Sequence, residues 1–252
     1  MMNNDRRDFI RKAGIGLLAG MGAASGILTG GGFERTTSAA WAVEPGDTGR
    51  RWGMLIDTRR CREGCTLCIE SCHHTHNVPD VSSPAGTVEW MHKEDGRELL
   101  GSACPSTAAL PALCNHCAEP SCARACPTDS IFRRTDGIVA IDYHRCVGCR
   151  SCMQGCPYGE VSFNWSDPRA ALKNPSVDYP TRQRGVVEKC NFCSDRLARG
   201  KKPSCVEACP EGAISFGNIN NPSSEIRRLL ESNQTLQRKP ELGTRPSVFY
   251  II

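Results

Sequence analysis

The chain has 252 residues, 39% of them apolar, with 31 basic and 27 acidic residues for a net charge of +4. That length allows one or two domains, and a charge this small gives no basic footprint for nucleic acid. Of the 17 cysteines, sixteen fall into four tight groups. In chain order, Arg6-Arg7 followed by Phe9 resembles a twin-arginine export signal. Ala13 to Gly31 follows as a mildly apolar stretch carrying seven glycines, too weak for a good membrane span. Ala40-Trp41-Ala42 then reads as a cleavage site. Residues 1–42 are therefore expected to be a signal, with an uncleaved anchor as the alternative. Beyond them the excess of basic residues falls to two, 26 against 24.

Trp52 to Asp57 reads as a strand leading into the first group, Cys61, Cys65, Cys68 and Cys72. Residues 73–113 read as a loop insertion. The second group is Cys114, Cys117, Cys122 and Cys126. Ile131 to Arg134, the Asp136-Gly137 turn and Ile138 to Ile141 read as a hairpin. It leads into the third group, Cys146, Cys149, Cys152 and Cys156. A second loop insertion spans 157–189. The fourth group is Cys190, Cys193, Cys205 and Cys209. The clearest helix lies near Ser224 to Ser232, with Ile226, Leu229 and Leu230 on one face and Ser223 as a candidate N-cap. Arg196, Arg199, Lys201 and Lys202 form a basic excursion that reads as a solvated loop.

Every group ends in C-x3-C, and the third is C-x2-C-x2-C-x3-C-P, the bacterial ferredoxin run. Four groups of four thiolates match the ligand count of four [4Fe-4S] clusters. Three closely spaced cysteines let a short loop curl over a cluster with its N–H groups aimed at sulfur. The fourth cysteine leaves that loop and, in two-cluster ferredoxins, ligates the other cluster. Pro127, Pro157 and Pro210 follow a fourth cysteine and are placed to start helices; His73 follows Cys72 instead. Cysteines two residues apart do not readily bridge each other, which argues against a disulfide scaffold. Zinc sites usually pair two separated C-x2-C knuckles, which these runs are not. Cys104 stands outside the groups and reads as a buried small hydrophobe. His73, His74 and His76 suggest local hydrogen bonding, since no C-x-x-C-H haem motif occurs. His116 and His144 stand beside candidate ligands and could tune a cluster.

The chain repeats itself. Ile56-Asp57-x-x-Arg60-Cys61 recurs as Ile141-Asp142-x-x-Arg145-Cys146. Cys114-Asn115-His116-Cys117 recurs as Cys190-Asn191-Phe192-Cys193. Cys122-x3-Cys126-Pro127 with Ile131-Phe132 recurs as Cys205-x3-Cys209-Pro210 with Ile214 and Phe216. The expected fold is α+β: duplicated bacterial-ferredoxin-like modules with long loop insertions, held by four [4Fe-4S] clusters. The expected divisions are a signal at 1–42, a first half at 43–140, a second half at 141–220 and a C-terminal helix and tail at 221–252, with the halves interlocked. Ligation supplies folding free energy where a large apolar core is missing.

From Trp52 onward the chain resembles the four-cluster ferredoxin-like electron-transfer subunits of nitrite, polysulfide and dimethyl sulfoxide reductase systems and of formate dehydrogenase. All four groups carry the match, with C-x2-C-x4-C-x3-C-P at 114–127 and C-x2-C-x11-C-x3-C-P at 190–210. Cys61 to Cys65, His73 to Pro79, Phe163-Asn164-Trp165 and Lys239 to Thr244 look like the DsrO group, periplasmic subunits of the Dsr transmembrane complex of sulfur metabolism. The resemblance implies cross-wired ligand sets: Cys61, Cys65, Cys68 with Cys209; Cys190, Cys193, Cys205 with Cys72; Cys114, Cys117, Cys122 with Cys156; and Cys146, Cys149, Cys152 with Cys126. The residues alone do not choose those partners. The resemblance further implies a periplasmic relay, not an enzyme in itself. It would work with an NrfD-type integral membrane quinone-reactive subunit and a multihaem cytochrome c, with no nucleic acid and no small-molecule substrate of its own. The alternatives are the iron–sulfur subunit of a molybdenum oxidoreductase and, in another class, a zinc- or disulfide-stapled interaction protein.

Overall fold

A computed structural model describes residues 49–80, 87–105 and 108–252. The signal, apolar stretch and cleavage site expected within residues 1–42 lie outside the described residues. In chain order the first elements are β1 (Trp52–Asp57), α1 (Leu67–Thr75), β2 (Met91–Asp95), α2 (Gly96–Leu100), β3 (Ala109–Leu113) and α3 (Ser121–Arg124). Next come β4 (Ile131–Arg133), β5 (Val139–Ile141), α4 (Ser151–Gly155), β6 (Ser162–Phe163), β7 (Val187–Glu188) and α5 (Ser194–Ala198). The last are α6 (Ser204–Glu207), β8 (Ile214–Asn218), α7 (Glu225–Ser232), β9 (Thr235–Leu236) and β10 (Val248–Ile251). The fold is α+β, a duplicated ferredoxin-like arrangement of small sheets and very short helices.

The duplication shows in the strand pairing. β4 and β5 form the expected hairpin, with Ile131 opposite Ile141, and Gly137 turns it at φ +85°. The equivalent strands of the other repeat ends, β8 and β1, also pair antiparallel, with Ile214 opposite Ile56. The backbone N–H of Asp142 bonds Ser130 O at 2.7 Å, and that of Asp57 bonds Ala213 O at 2.8 Å. One pair is local; the other joins the beginning of the described chain to a segment near its end.

β1 is central in a four-stranded sheet, order β8-β1-β10-β9, and runs parallel to β10. Residues in a strand alternate between faces. Met54, Ile56, Val248 and Tyr250 share the main apolar cluster with Leu110, Phe192 and several cysteines. Leu55 and Ile251 face the other way, where Ile226 of α7 covers them and Leu229 and Leu230 pack alongside. Burying Ile226 stabilises that contact by about 1.5–3 kcal/mol. The helix is capped by Ser224, whose hydroxyl accepts from Arg227 N, not by Ser223. The tail also adds β9 and β10, strands not expected there.

Residues 73–113 are not one long loop. β2 and β3 pair antiparallel across them, with α2 capped by Asp95 between. The insertion at 157–189 is mostly irregular but closed at its base by β6 and β7. The two insertions are clamped together. Arg182 forms a fully buried ion pair with Glu188 and donates to the carbonyls of His76 and Asn77. Trp90 Nε1 and the Asn164 amide donate to the same carboxylate. Removing one partner of such a pair costs about 3–5 kcal/mol.

Candidate metal centres

Each C-x3-C spacing sits on or at the end of one helical turn. Cys68 and Cys72 lie on α1, Cys122 on α3, Cys152 on α4 and Cys205 on α6. Four residues of helix advance about 6 Å, so each short helix sends its two thiols to different places. Cys61, Cys65, Cys68 and Cys209 line one pocket. Cys114, Cys117, Cys122 and Cys156 line a second. Cys126, Cys146, Cys149 and Cys152 line a third. Cys72 stands among Cys190, Cys193 and Cys205, close enough for their charges to act on its thiol. The grouping of the sixteen cysteines is the one the family resemblance implies.

The expected helix starts at the prolines are not found. Asp129 N bonds Cys126 O, Gly159 N bonds Cys156 O, and Gly212 N bonds Cys209 O. Pro127, Pro157 and Pro210 therefore occupy the second position of a turn, where their fixed φ suits them. They bring the chain out of the one-turn helix. Inside the groups, His116, Arg150, Phe192 and Cys193 take positive φ between 41° and 64°, curling the loops.

The sulfurs have nearby donors. Phe192 N bonds Cys190 Sγ at 3.4 Å, and Ala213 N bonds Cys209 Sγ at 3.3 Å. Ser130 Oγ lies 3.0 Å from Cys126 Sγ, and Lys93 Nζ lies 3.3 Å from Cys61 Sγ. Burial pushes the thiols of Cys72, Cys190 and Cys205 up, Cys122 to about 12 and Cys152 to about 11. Burial also raises Cys126, but hydrogen bonds from Ser130, Ile131 N and Thr128 outweigh it and hold the thiol at about 7. Groups of buried thiols become charged only against strong positive charge, which bound metal ions would supply. Among the described residues no three His, Cys, Asp or Glu side chains converge on one metal ion. Four-thiol sets around cavities suit a multi-iron cluster better than a single zinc at 2.3 Å from sulfur.

The other candidates settle differently. Cys104 is buried in the main apolar cluster. His76 is buried against Trp90, its Nδ1 bonded to Cys72 O, and His73 Nε2 accepts from Trp90 N. His74 and His144 are exposed. His116 is fully buried, accepts from Val139 N at Nδ1 and stacks on Phe192 with ring centres 3.7 Å apart. These two rings occupy equivalent positions of the repeat. Arg196 pairs with Glu207, and Arg199 with Asp178 and Asp195, so half of the basic excursion is neutralised locally. Lys93 and Ser130 gave no signal in the sequence, since neither lies within a motif. Among the described residues no helix is long and apolar enough to cross a membrane.

Residues 105–172 and 176–219 match the family described as a 4Fe-4S dicluster domain. The chain is 39% identical to the Hdr-like menaquinol oxidoreductase iron-sulfur subunit 1 of Archaeoglobus fulgidus, over 93% of this chain and 95% of that protein. It is 36% identical to the iron-sulfur subunit of a putative dimethyl sulfoxide reductase of Halobacterium salinarum, over 79% of this chain and 78% of that protein. It is 34% identical to one of the chains of polysulfide reductase from Wolinella succinogenes, over 80% of this chain and 94% of that protein. With cysteine sets and turns repeated across two modules, and similarity to such subunits along most of its length, the chain therefore belongs to the family of ferredoxin-like iron–sulfur electron-transfer subunits.

Proposed function

We propose that this subunit of a respiratory complex holds four [4Fe-4S] clusters on its sixteen grouped cysteines and relays electrons in a reductase of the polysulfide, nitrite or dimethyl sulfoxide type. The observation that carries the reading is the arrangement of four four-thiol sets in which each C-x3-C segment gives one thiol to each of two sets. Each cluster, when bound, exchanges single electrons. The chain's own part is to fix spacing and exclude water. α1 and α6 tie the Cys61 set to the Cys72 set, and α3 and α4 tie the Cys114 set to the Cys126 set. Cys114 and Cys190 are close enough to influence each other, which links the two pairs into one path.

The polysulfide and dimethyl sulfoxide reductase relatives support this reading and suggest two partners, an NrfD-type membrane subunit and a molybdenum-containing one. A second reading is a DsrO-type subunit in dissimilatory sulfur metabolism, with a multihaem cytochrome c as a partner. The relative named as a menaquinol oxidoreductase subunit, matched over 93% of this chain, favours a link to the quinone pool in either case. In both, residues 1–42 serve as a twin-arginine signal, 43–140 and 141–220 are interlocked halves, and the subunit works in the periplasm.

The test is purification without oxygen, with iron and acid-labile sulfide counted. About 16 irons per chain, with interacting signals in the reduced state, are expected for four cubanes. Zinc, or no metal after attempted reconstitution, would overturn the relay. Capture of the intact complex from membranes then separates the two readings: molybdenum marks the first and c-type haem the second.

A further inference from the structure

Among the described residues three long cations are buried, Arg182, Arg238 and Lys189. Arg182 is paired with Glu188, and Arg238 with Glu160 and Glu94. Lys189 is 1% exposed, yet no ion pair among the described residues involves it. Its ammonium donates to two uncharged acceptors, the carbonyls of Val139 and Cys190, the latter at 3.0 Å. An ammonium taken from water without a counter-charge is strongly unfavourable. A counter-charge must therefore belong to something at this place.

The surroundings say what it is. Val139 lines the cavity of Cys114, Cys117, Cys122 and Cys156, and Cys190 belongs to the set with Cys72, Cys193 and Cys205. The lysine therefore sits between two of the four sets. Its charge reaches the thiols of Cys114, Cys117, Cys122 and Cys190. The internal repeat supplies a control. Lys189-Cys190-Asn191-Phe192-Cys193 aligns with Leu113-Cys114-Asn115-His116-Cys117, so the equivalent residue is Leu113, also fully buried. An apolar side chain fills that place in the other repeat, and the backbone does not call for a lysine.

We propose that Lys189 is a positioning residue for charge. Its ammonium is shared by the cluster of Cys114, Cys117, Cys122 and Cys156 and the cluster of Cys72, Cys190, Cys193 and Cys205, and it raises the reduction potentials of both relative to the outer two. The sign follows from charge. Reduction adds an electron to an already anionic four-thiolate cluster, and a fixed cation nearby favours the reduced form. This rests on the four-cluster reading.

The test is a redox titration of the intact iron-loaded protein, followed by magnetic resonance of the reduced clusters, for wild type, K189M and K189R. Two of the four potentials should fall in K189M by at least a tenfold change in the one-electron equilibrium, about 59 mV. K189R should restore them, and the other two should move much less. Four unchanged potentials in K189M with its full iron content would overturn the inference. If K189M loses iron, K189L, which copies Leu113, takes its place. Neutral variants that lose iron beside a fully loaded K189R would show that the charge itself is needed, and the inference stands. Loss in K189R as well would make the lysine a packing group, and the inference falls. A wild-type protein without about 16 irons would instead remove the four-cluster reading beneath it.

Discussion

Gly148, between Cys146 and Cys149, is held at φ +68°, and a Cβ there would lie 2.2 Å from the carbonyl oxygen of Gly185. Both facts bar any other residue. The backbone strain alone is about 1–3 kcal/mol, and the carbonyl it meets belongs to the base of the 157–189 insertion. Gly148→Ala should therefore spoil the Cys126 set selectively. The expected result is loss of about a quarter of the iron, with a melting temperature several degrees lower. Full iron in this variant would show that the loop can shift without losing its ligands. The donors around the sulfurs act at the same scale. Ser130 favours charged sulfur at Cys126 and Lys93 places its ammonium 3.3 Å from Cys61 Sγ, whereas burial works against charge at Cys122 and Cys190. The four sets are chemically alike in ligands and unlike in surroundings.

At the scale of elements, the helix pairs control the distance between sets. A Cβ on Gly155 of α4 would meet Ala125 Cβ at 2.9 Å, and Ser121 Oγ already bonds Gly155 O at 2.7 Å. Gly155→Ala should push α4 from α3 and destabilise the protein by about 1–3 kcal/mol. Ala125→Gly in the same chain should recover part of that loss, a coupling that a double-mutant cycle measures directly. Additive effects would show that the two helices are not in firm contact. Much of this scale could be read from the sequence. The β4–β5 hairpin was carried by Asp136-Gly137, β1 by its apolar run, and the cysteine groups by spacing alone. The parallel pairing of β1 with β10 was not legible. Val248 to Ile251 is a short apolar run with no turn signal, and its partner lies at the other end of the described chain. Nor was the β2–β3 pair, whose strands are separated by a helix and hold Lys93 and Pro111. Lys189 carries no signal in the sequence, because its burial follows from the tertiary fold.

At the scale of the whole molecule, the cysteines belong to the core as well as to the site. Cys68, Cys114, Cys190 and Cys205 are members of the largest apolar cluster, and Cys122 and Cys152 of the second. In the proposed four-cluster reading, ligation and packing are therefore one event, and folding free energy is shared with metal binding. Stripping iron with a chelator should abolish near-ultraviolet circular dichroism in step with the loss of visible absorbance. A tertiary signal that survives complete removal of iron would show that the apolar clusters suffice. The buried Arg182–Glu188 pair joins the two insertions and lies against Trp90; it is not expected to hold the fold in place of the larger clusters.

The side-by-side position of β1 and β10 also sets a timetable. A ribosome delivers the chain from its N-terminus, and the module built on residues 114–156 has all its proposed ligands within one short stretch. It can close while synthesis continues. The other module needs Cys61 to wait for Cys209, and β1 gains its parallel neighbour only when Val248–Ile251 has emerged. Until then the first cysteine group and a strand edge stay open in the cell, exposed to oxidants and to pairing with other chains. The pairing of β1 with Val248–Ile251 thus comes late in the synthesis of the described chain, after all four cysteine groups have emerged.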